Sequence, residues 1–353
     1  MPSVNCGSLG LRPTRSSASQ LLQIALVTLA ALALSACGGN APQNETVNLE
    51  VISSDSSECQ VVKHPLGKTQ ICGQPQRVVA LEDDILDLLL SLGVQPIGYA
   101  ESRHVASDNF GEPLQQIKYL GKYLKRSPIN VGTAQQPSLE TILRLNPDLI
   151  LGIYESSLHS KLSRIAPSLF PVQDLQAHLE NYRWQQTLLV LGEIFKREQR
   201  AQQVIEEHQR RIARARADLE PISRDSSVLL LSMSGLDRIE VFTEKTHTGT
   251  LLTDLGFELV VPEGLQANYG QIQISLETLP QLNADRIIVM ASGQSNVEKI
   301  EKVWQQNPVL RSQPAFQAGQ VYFVDYQLWS RIRGPIATKL IIKQIRSLFL
   351  EPN

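Results

Sequence analysis

Histidine is scarce: six residues in 353, at positions 64, 104, 159, 178, 208 and 247, with no pair at metal-ligand spacing within a helix. That pattern argues against a carrier that grips a bare zinc or manganese ion with its own side chains. No G-x-G-x-x-G dinucleotide fingerprint is present. The Gly67-Lys68-Thr69 triplet is not a phosphate loop, because Val62 stands where the first glycine is required. Leu231-Ser232-Met233-Ser234-Gly235 lacks the leading glycine of a nucleophile elbow. A secreted α/β hydrolase using Ser232 or Ser234 with a distant histidine and aspartate stays open as an alternative of another class. A basic excess is missing as well. The formal charge is -2, and only Arg12 and Arg15 carry charge in the first 36 residues, so loss of that segment takes it to -4. Such a balance gives no reason to expect nucleic acid.

One long apolar run is present, Leu21 to Cys37, following the two arginines. Its length and layout predict a secretion signal rather than a membrane span. It ends in Leu34-Ser35-Ala36-Cys37, which has the form of a lipobox. Residues 1–36 are then a signal peptide, Cys37 is lipidated, and residues 37–57, opening with GGNAPQNET, form a polar tether. An ordinary signal peptide with an incidental cysteine is the competing reading. Anchoring would place the protein in the periplasm or at the cell surface.

Cysteine is rare too, at four residues. With Cys6 in the leader and Cys37 lipidated, Cys59 and Cys72 remain. They bracket a hairpin pattern that turns at His64-Pro65-Leu66-Gly67. If Lys63 faces Lys68, counting brings Cys59 opposite Cys72, which predicts a disulfide in an oxidising compartment. Two unpaired thiols are the alternative.

The remaining chain, over 300 residues and rich in apolar side chains, predicts two cores rather than one. Val78 to Leu81 reads as a buried strand, then Ile85, Leu86, Leu89, Leu90 and Leu92 recur at helical spacing up to Gly93. Ser138 caps a further helix, stopped by Asn146-Pro147-Asp148, before the buried strand LILG. The second half restates the plan with SVLLLSMSG, TGTLLTDLGFELVV and SLETLPQLNADRIIVM. Here SLETLPQLNADRI nearly repeats the earlier SLETILRLNPDLI, with Glu140 and Glu277 at matching places. The recurrence predicts two pseudo-symmetric α/β lobes with mostly parallel central sheets: 58–180, and 222–353. Between them, within 181–221, Ala201, Val204, Ile205, His208, Ile212, Ala215 and Leu219 mark one stripe of a rigid helix over 197–219, on the order of 35 Å long. A coiled-coil seam is the alternative for this stretch.

Five segments together resemble the class III clamshell binding proteins of ABC importers: RVVALEDDILDLLLSLGVQPIGYA, VGTAQQPSLETILRLNPDLILG, the long helix, LLTDLGFELV with YGQIQISLETLPQLNADRIIVM, and NPVLRSQPAFQAGQVYFVDYQLW. The opening hairpin is similar to that of the ferric-siderophore branch. The resemblance implies a monomeric, non-enzymatic carrier that holds its ligand between the lobes. The iron would be held by the chelator, and the protein would need no cofactor. It also implies contacts from loops at the carboxyl ends of strands: Glu82, Arg103, Thr133, Gln136 and Tyr154 from one lobe, Ser234, Tyr269, Gln271, Trp329, Arg331 and Arg333 from the other. Trp329 and Tyr269 would supply flat walls, and Arg103, Arg331 and Arg333 planar donors to an anionic iron chelate. Cobalamin and haem remain as alternative ligands. The resemblance further implies that Glu140 and Glu277 dock onto arginines of the permease subunits. Helix-dipole stabilisation is the simpler account of both glutamates.

Overall fold

The computed structural model describes residues 52–53, 59–101, 117–153, 155–172, 184–293 and 295–350. The leader, Cys37, Arg103 and Tyr154 lie outside them. The described chain begins with a three-stranded antiparallel ribbon: β1 (Ile52–Ser53), β2 (Cys59–His64) and β3 (Gly67–Cys72). Lys63 pairs with Lys68 and Cys59 with Cys72, and the two sulfurs are joined as a disulfide. The ribbon docks on the first lobe through His64, whose Nε2 lies 2.9 Å from Thr69 Oγ1, while that hydroxyl donates to the carbonyl of Ser168 at 2.9 Å.

The first lobe runs β4 (Val78–Ala80), α1 (Asp83–Ser91), β5 (Gly98–Glu101), β6 (Ile129–Thr133), α2 (Leu139–Leu145), β7 (Leu149–Leu151), α3 (Ser156–Leu162) and β8 (Ser168–Leu169). Its sheet is fully parallel, in the order β6-β5-β4-β7-β8. Then come α4 (Trp184–Ile194) and the long α5 (Glu198–Ser223). With 26 residues, α5 is about 39 Å long. It buries the expected stripe, although Ile212 is only half-covered.

The second lobe contains β9 (Ser227–Met233), β10 (Ile239–Phe242), α6 (His247–Asp254), β11 (Glu258–Leu259), β12 (Gln271–Ile274), β13 (Arg286–Ala291), α7 (Val297–Gln306), β14 (Val321–Asp325) and the closing helix α8 (Pro335–Leu350). Strands β11, β9, β13 and β14 are parallel, whereas β10 and β12 form an antiparallel flap on β9 that breaks the symmetry with the first lobe. A second departure is local. Residues after Ser275 do not form the expected α-helix; they make a turn and a short 3₁₀ segment, Leu279–Gln281. Pro280 lacks an N–H for the helical ladder and its ring crowds the preceding turn.

Strand alternation explains how the lobes are joined. Val78 and Ala80, Val228 and Leu230, and Ile288 and Met290 face one continuous core, shared with α1, α4, α5 and α8. Their neighbours Val79 and Leu81 face a separate core in the first lobe, and Leu229, Leu231, Ile287 and Val289 face another in the second. Each sheet thus gives one face to its own lobe and the other to a common centre. Both lobes belong to one compact unit, Leu49–Asn353.

Candidate functional site

The carboxyl end of β4 delivers the chain straight into α1, and its first residues are acidic: Glu82, Asp83, Asp84 and, one turn on, Asp87. Carboxylates suit the first turn of a helix, but here they also meet the other lobe. Arg333 Nη2 donates to Asp84 Oδ2 at 2.8 Å, and Gln327 Nε2 to Asp83 Oδ2 at 2.7 Å. Asp87 is fully buried and accepts the backbone N–H groups of Ile336 and Ala337 at 3.0 and 2.8 Å, closing the first turn of α8. Only glycine fits at 334, where an added Cβ would collide with this carboxylate. At the other end of α1, Arg197, just before the long helix, and Arg200 within it donate to the carbonyls of Leu92 and Ser91. The helix is therefore fixed at both ends by elements outside its own sheet.

Loss of water, with Asp84 and Asp83 alongside, holds the Glu82 carboxyl well above the usual carboxylate range, against the pull of Arg333 and Arg331. Desolvation likewise pushes Asp83 up to about 7, opposed by its Gln327 hydrogen bond. Glu82 lies over Gly152, whose left-handed φ of +99° and missing Cβ leave room for it. Facing these acids, the chain leaves β14 through a single π-helical turn, Gln327–Arg331. Such turns often occur at functional sites. Arg331 is half-buried, with its guanidinium 5.1 Å from the centre of the Tyr326 ring and its Nε without a hydrogen-bond partner among the described residues.

Of the expected contact residues, Glu82, Arg331 and Arg333 come together at this junction. Thr133 and Gln136 form the turn after β6, where Thr133 Oγ1 accepts the Gln136 N–H at 3.2 Å. Thr133 pairs with Glu101 at the carboxyl edge of the first sheet. Ser234 follows β9 at the corresponding edge of the second sheet, packed where Gly293 has no Cβ. Three expectations need correction. Trp329 is not an open wall: it is completely buried, and its Nε1 donates to Gln344 Oε1 at 2.6 Å. The π-helical turn swings its indole inward under α8 while leaving Arg331 half-exposed. Tyr269 and Gln271 do not stand at a carboxyl edge. Gln271 pairs with Phe242, three residues back from the Ile239–Met233 pair that marks that edge, because β12 runs antiparallel to β10. Sequence reasoning passed over Asp83, Asp84, Asp87 and Gln327. The visible signal was a run of acids on a helix whose other positions are almost all apolar.

Glu140 and Glu277 are both exposed. Glu140 lies in the first turn of α2 and pairs with Arg144 at 2.6 Å. Glu277 precedes the 3₁₀ segment, and hydrogen bonds from its own N–H and from Ser275 hold its carboxyl below the usual range. The repeated phrase preserves one contact in both lobes: Ser138 to Thr141 at 2.9 Å and Ser275 to Thr278 at 3.2 Å, hydroxyl to hydroxyl. Among the described residues no group of histidine, cysteine and carboxylate side chains is arranged to hold a metal ion. Ser232 Oγ donates to Glu240 at 3.3 Å rather than to a histidine, which does not favour a hydrolase.

Residues 78–328 match the model of a family described as periplasmic binding protein. Over 279 residues the chain is 32% identical to the Fe(3+) dicitrate-binding periplasmic protein FecB of Escherichia coli, spanning 78% of this chain and 85% of that protein. It is 26% identical over 336 residues to the Fe(3+)-citrate-binding protein YfmC of Bacillus subtilis, spanning 94% and 98%. The siderophore binding protein FhuD from Vibrio cholerae, solved with Fe3+-Desferal bound, has a TM-score of 0.64 at 25% identity, over 78% of this chain and 99% of that one. Staphylococcus aureus SirA in complex with staphyloferrin B shares the fold, with a TM-score of 0.65 at 24% identity over 82% and 98%.

Proposed function

The chain belongs to the periplasmic binding protein family, and from that premise we propose that it captures an anionic ferric siderophore between its lobes for an ABC importer. The observation that carries the reading is the guanidinium pair at the junction. Arg331 and Arg333 are both half-buried and both act on the Glu82 carboxyl, and the Arg331 guanidinium lies over the Tyr326 ring. A planar fork of N–H donors suits carboxylate, hydroxamate or catecholate oxygens. Two relatives named for ferric citrate favour a carboxylate-type chelate. The chelator holds the iron, and the protein contributes donors and shape without a cofactor or catalysis.

In this reading residues 1–36 direct export, Cys37 carries lipid, and 37–57 tether a monomeric carrier outside the cytoplasm. The lobes are 58–180 and 222–353, with 181–221 as connection. Glu140 and Glu277 present one carboxylate per lobe to the permease.

The test is titration of the purified protein, free of lipid, with ferric citrate, ferric hydroxamates, ferric catecholates, haem and cobalamin, followed by tryptophan fluorescence. Trp329, buried two residues before Arg331, is the expected reporter. Submicromolar quenching by one anionic ferric chelate is expected. Tight binding of haem or cobalamin alone would replace the ligand class, and turnover without a stoichiometric complex would replace the function.

A further inference from the structure

Acids outnumber bases at the junction. Glu82, Asp83 and Asp84 face Arg331 and Arg333, and Glu101 stands behind Asp83. An anionic ligand brought to the two arginines competes for the same positive charge that now balances the acids. Asp84 is buried and directly bonded to Arg333. Asp83 accepts the Gln327 side-chain amide. The Glu82 side chain makes no capping hydrogen bond at the start of α1 and packs over Gly152. Once a ligand draws on the guanidiniums, whatever negative charge Glu82 and Asp83 still carry is left partly desolvated beside another anion. Such an arrangement is costly unless the carboxylates are neutralised.

We propose that Glu82 and Asp83 are proton-bearing parts of the binding site: an anionic ferric chelate enters together with protons that settle on these two carboxyls. The proposal rests on the ligand reading above and deepens it, because it makes Glu82 and Asp83 specificity-determining residues for ligand charge. Neutral Glu82 and Asp83 can donate as well as accept, so the protonated cleft gains hydrogen-bond donors toward chelate oxygens. The groups facing the pair from the packed elements are Asp84 on α1, Glu101 at the end of β5, and Gln327, Arg331 and Arg333 after β14. His247 adjoins Arg333, where burial first and that cation second lower its imidazole to about 3, so it stays neutral in the range tested. A chelate that presents its anionic oxygens to the arginines therefore binds more tightly as the pH falls. The strength of the effect grows with ligand charge.

The probe is ferric citrate. Isothermal titration near neutral pH, in buffers of different ionisation heat, counts the protons exchanged on binding. The expected result is uptake of roughly half to one proton, with affinity falling up to about tenfold per pH unit on going from 6 to 8 for one proton bound. The paired variant is Glu82→Gln with Asp83→Asn. Its own affinity at any one pH is not at issue; the expectation is that proton uptake and pH dependence shrink together relative to wild type, so that the chelate's own protonation cancels. Binding with no proton uptake by wild type, or equal uptake by the variant, overturns this proposal alone. No binding of ferric citrate in any buffer overturns the carboxylate-chelate reading and this proposal with it. If the double variant fails to fold, the single Asp83→Asn variant carries the same comparison.

Discussion

Asp87 Oδ2 accepts the backbone N–H of Ala337 at 2.8 Å, joining the first helix of one lobe to the last helix of the other across 250 residues of chain. The same carboxylate takes the Ile336 N–H and the hydroxyl of Ser91. A buried carboxylate with three donors acts as a capping residue contributed in trans, and its loss strands two backbone donors of α8. Asp87→Ala is expected to destabilise the protein by about 2–4 kcal/mol in urea unfolding. Asp87→Asn, which keeps one acceptor oxygen, should cost less. A loss within ~0.5 kcal/mol for Asp87→Ala would mean that the contact does not hold the lobes.

The two arginines should separate cleanly. Arg333 neutralises buried Asp84, so Arg333→Ala leaves a desolvated charge and should lower stability by on the order of 2–4 kcal/mol. Arg331 makes no ion pair among those found in the described residues and stacks on Tyr326. Arg331→Ala should leave the unfolding midpoint nearly unchanged while weakening ferric-chelate binding by ~1.5–3 kcal/mol. Paired unfolding and binding measurements on both variants check this. Unchanged affinity in Arg331→Ala would remove that residue from the site.

Trp329→Ala should act first on folding. The indole is fully buried, bonded to Gln344, and its backbone carbonyl accepts from Thr248. A deletion of this size in a core costs about 3–5 kcal/mol. Calorimetry should show a strongly lowered melting temperature. A melting temperature like that of wild type, with weakened ligand binding, would return Trp329 to the cleft wall.

These corrections show which features could be read in advance. The strands Val78–Ala80, Leu149–Leu151 and Arg286–Ala291 were legible because they are apolar runs bounded by turn residues. The hairpin register followed from counting around Pro65-Leu66. Strands β10 and β12 were not legible: each has four residues, with polar side chains between the apolar ones, and is stabilised by pairing rather than by its own pattern. Trp329 was ambiguous because an aromatic beside arginines suits a wall or a core, and only the π-helical turn decides which way it faces. The acidic start of α1 looked like ordinary first-turn chemistry. Its partners lie more than two hundred residues away, so no local pattern announced them.

His64 gives a pH signature. Burial, then neighbouring His159, lowers its imidazole from 6.5 to about 4. A depressed folded-state value means that its contribution is complete above about 6.5, where both states are neutral. It is lost as the pH falls toward 4, because the unfolded chain takes up the proton first. The stability gap between wild type and His64→Gln should therefore narrow by about 2 kcal/mol between pH 7 and about 4.5. Urea unfolding of both proteins at the two pH values measures it; a gap that stays constant would show that His64 titrates normally in the fold.

The repeated phrase around Glu140 and Glu277 allows the sharpest separation of two accounts. If each glutamate only served a helix dipole, each would need a helix behind it. Glu140 has one, worth about 0.3–1 kcal/mol at an exposed site. Glu277 precedes a single 3₁₀ segment, so the dipole account explains only half of the repetition. What the lobes do share is an exposed carboxylate beside the same Ser–Thr hydroxyl contact. Reversing Glu140 breaks its pair with Arg144 and places two cations one turn apart, at a cost of about 0.5 kcal/mol. Reversing Glu277 removes no ion pair found among the described residues. Glu140→Arg and Glu277→Arg together are therefore expected to leave chelate affinity and melting temperature nearly unchanged, yet to abolish iron uptake in cells that produce the variant at normal level. Each reversal alone should reduce uptake, since a two-point contact made at one lobe leaves the carrier tilted on its permease. Uptake at the wild-type rate by the double variant, with normal binding in solution, would leave the second glutamate without a function in transport.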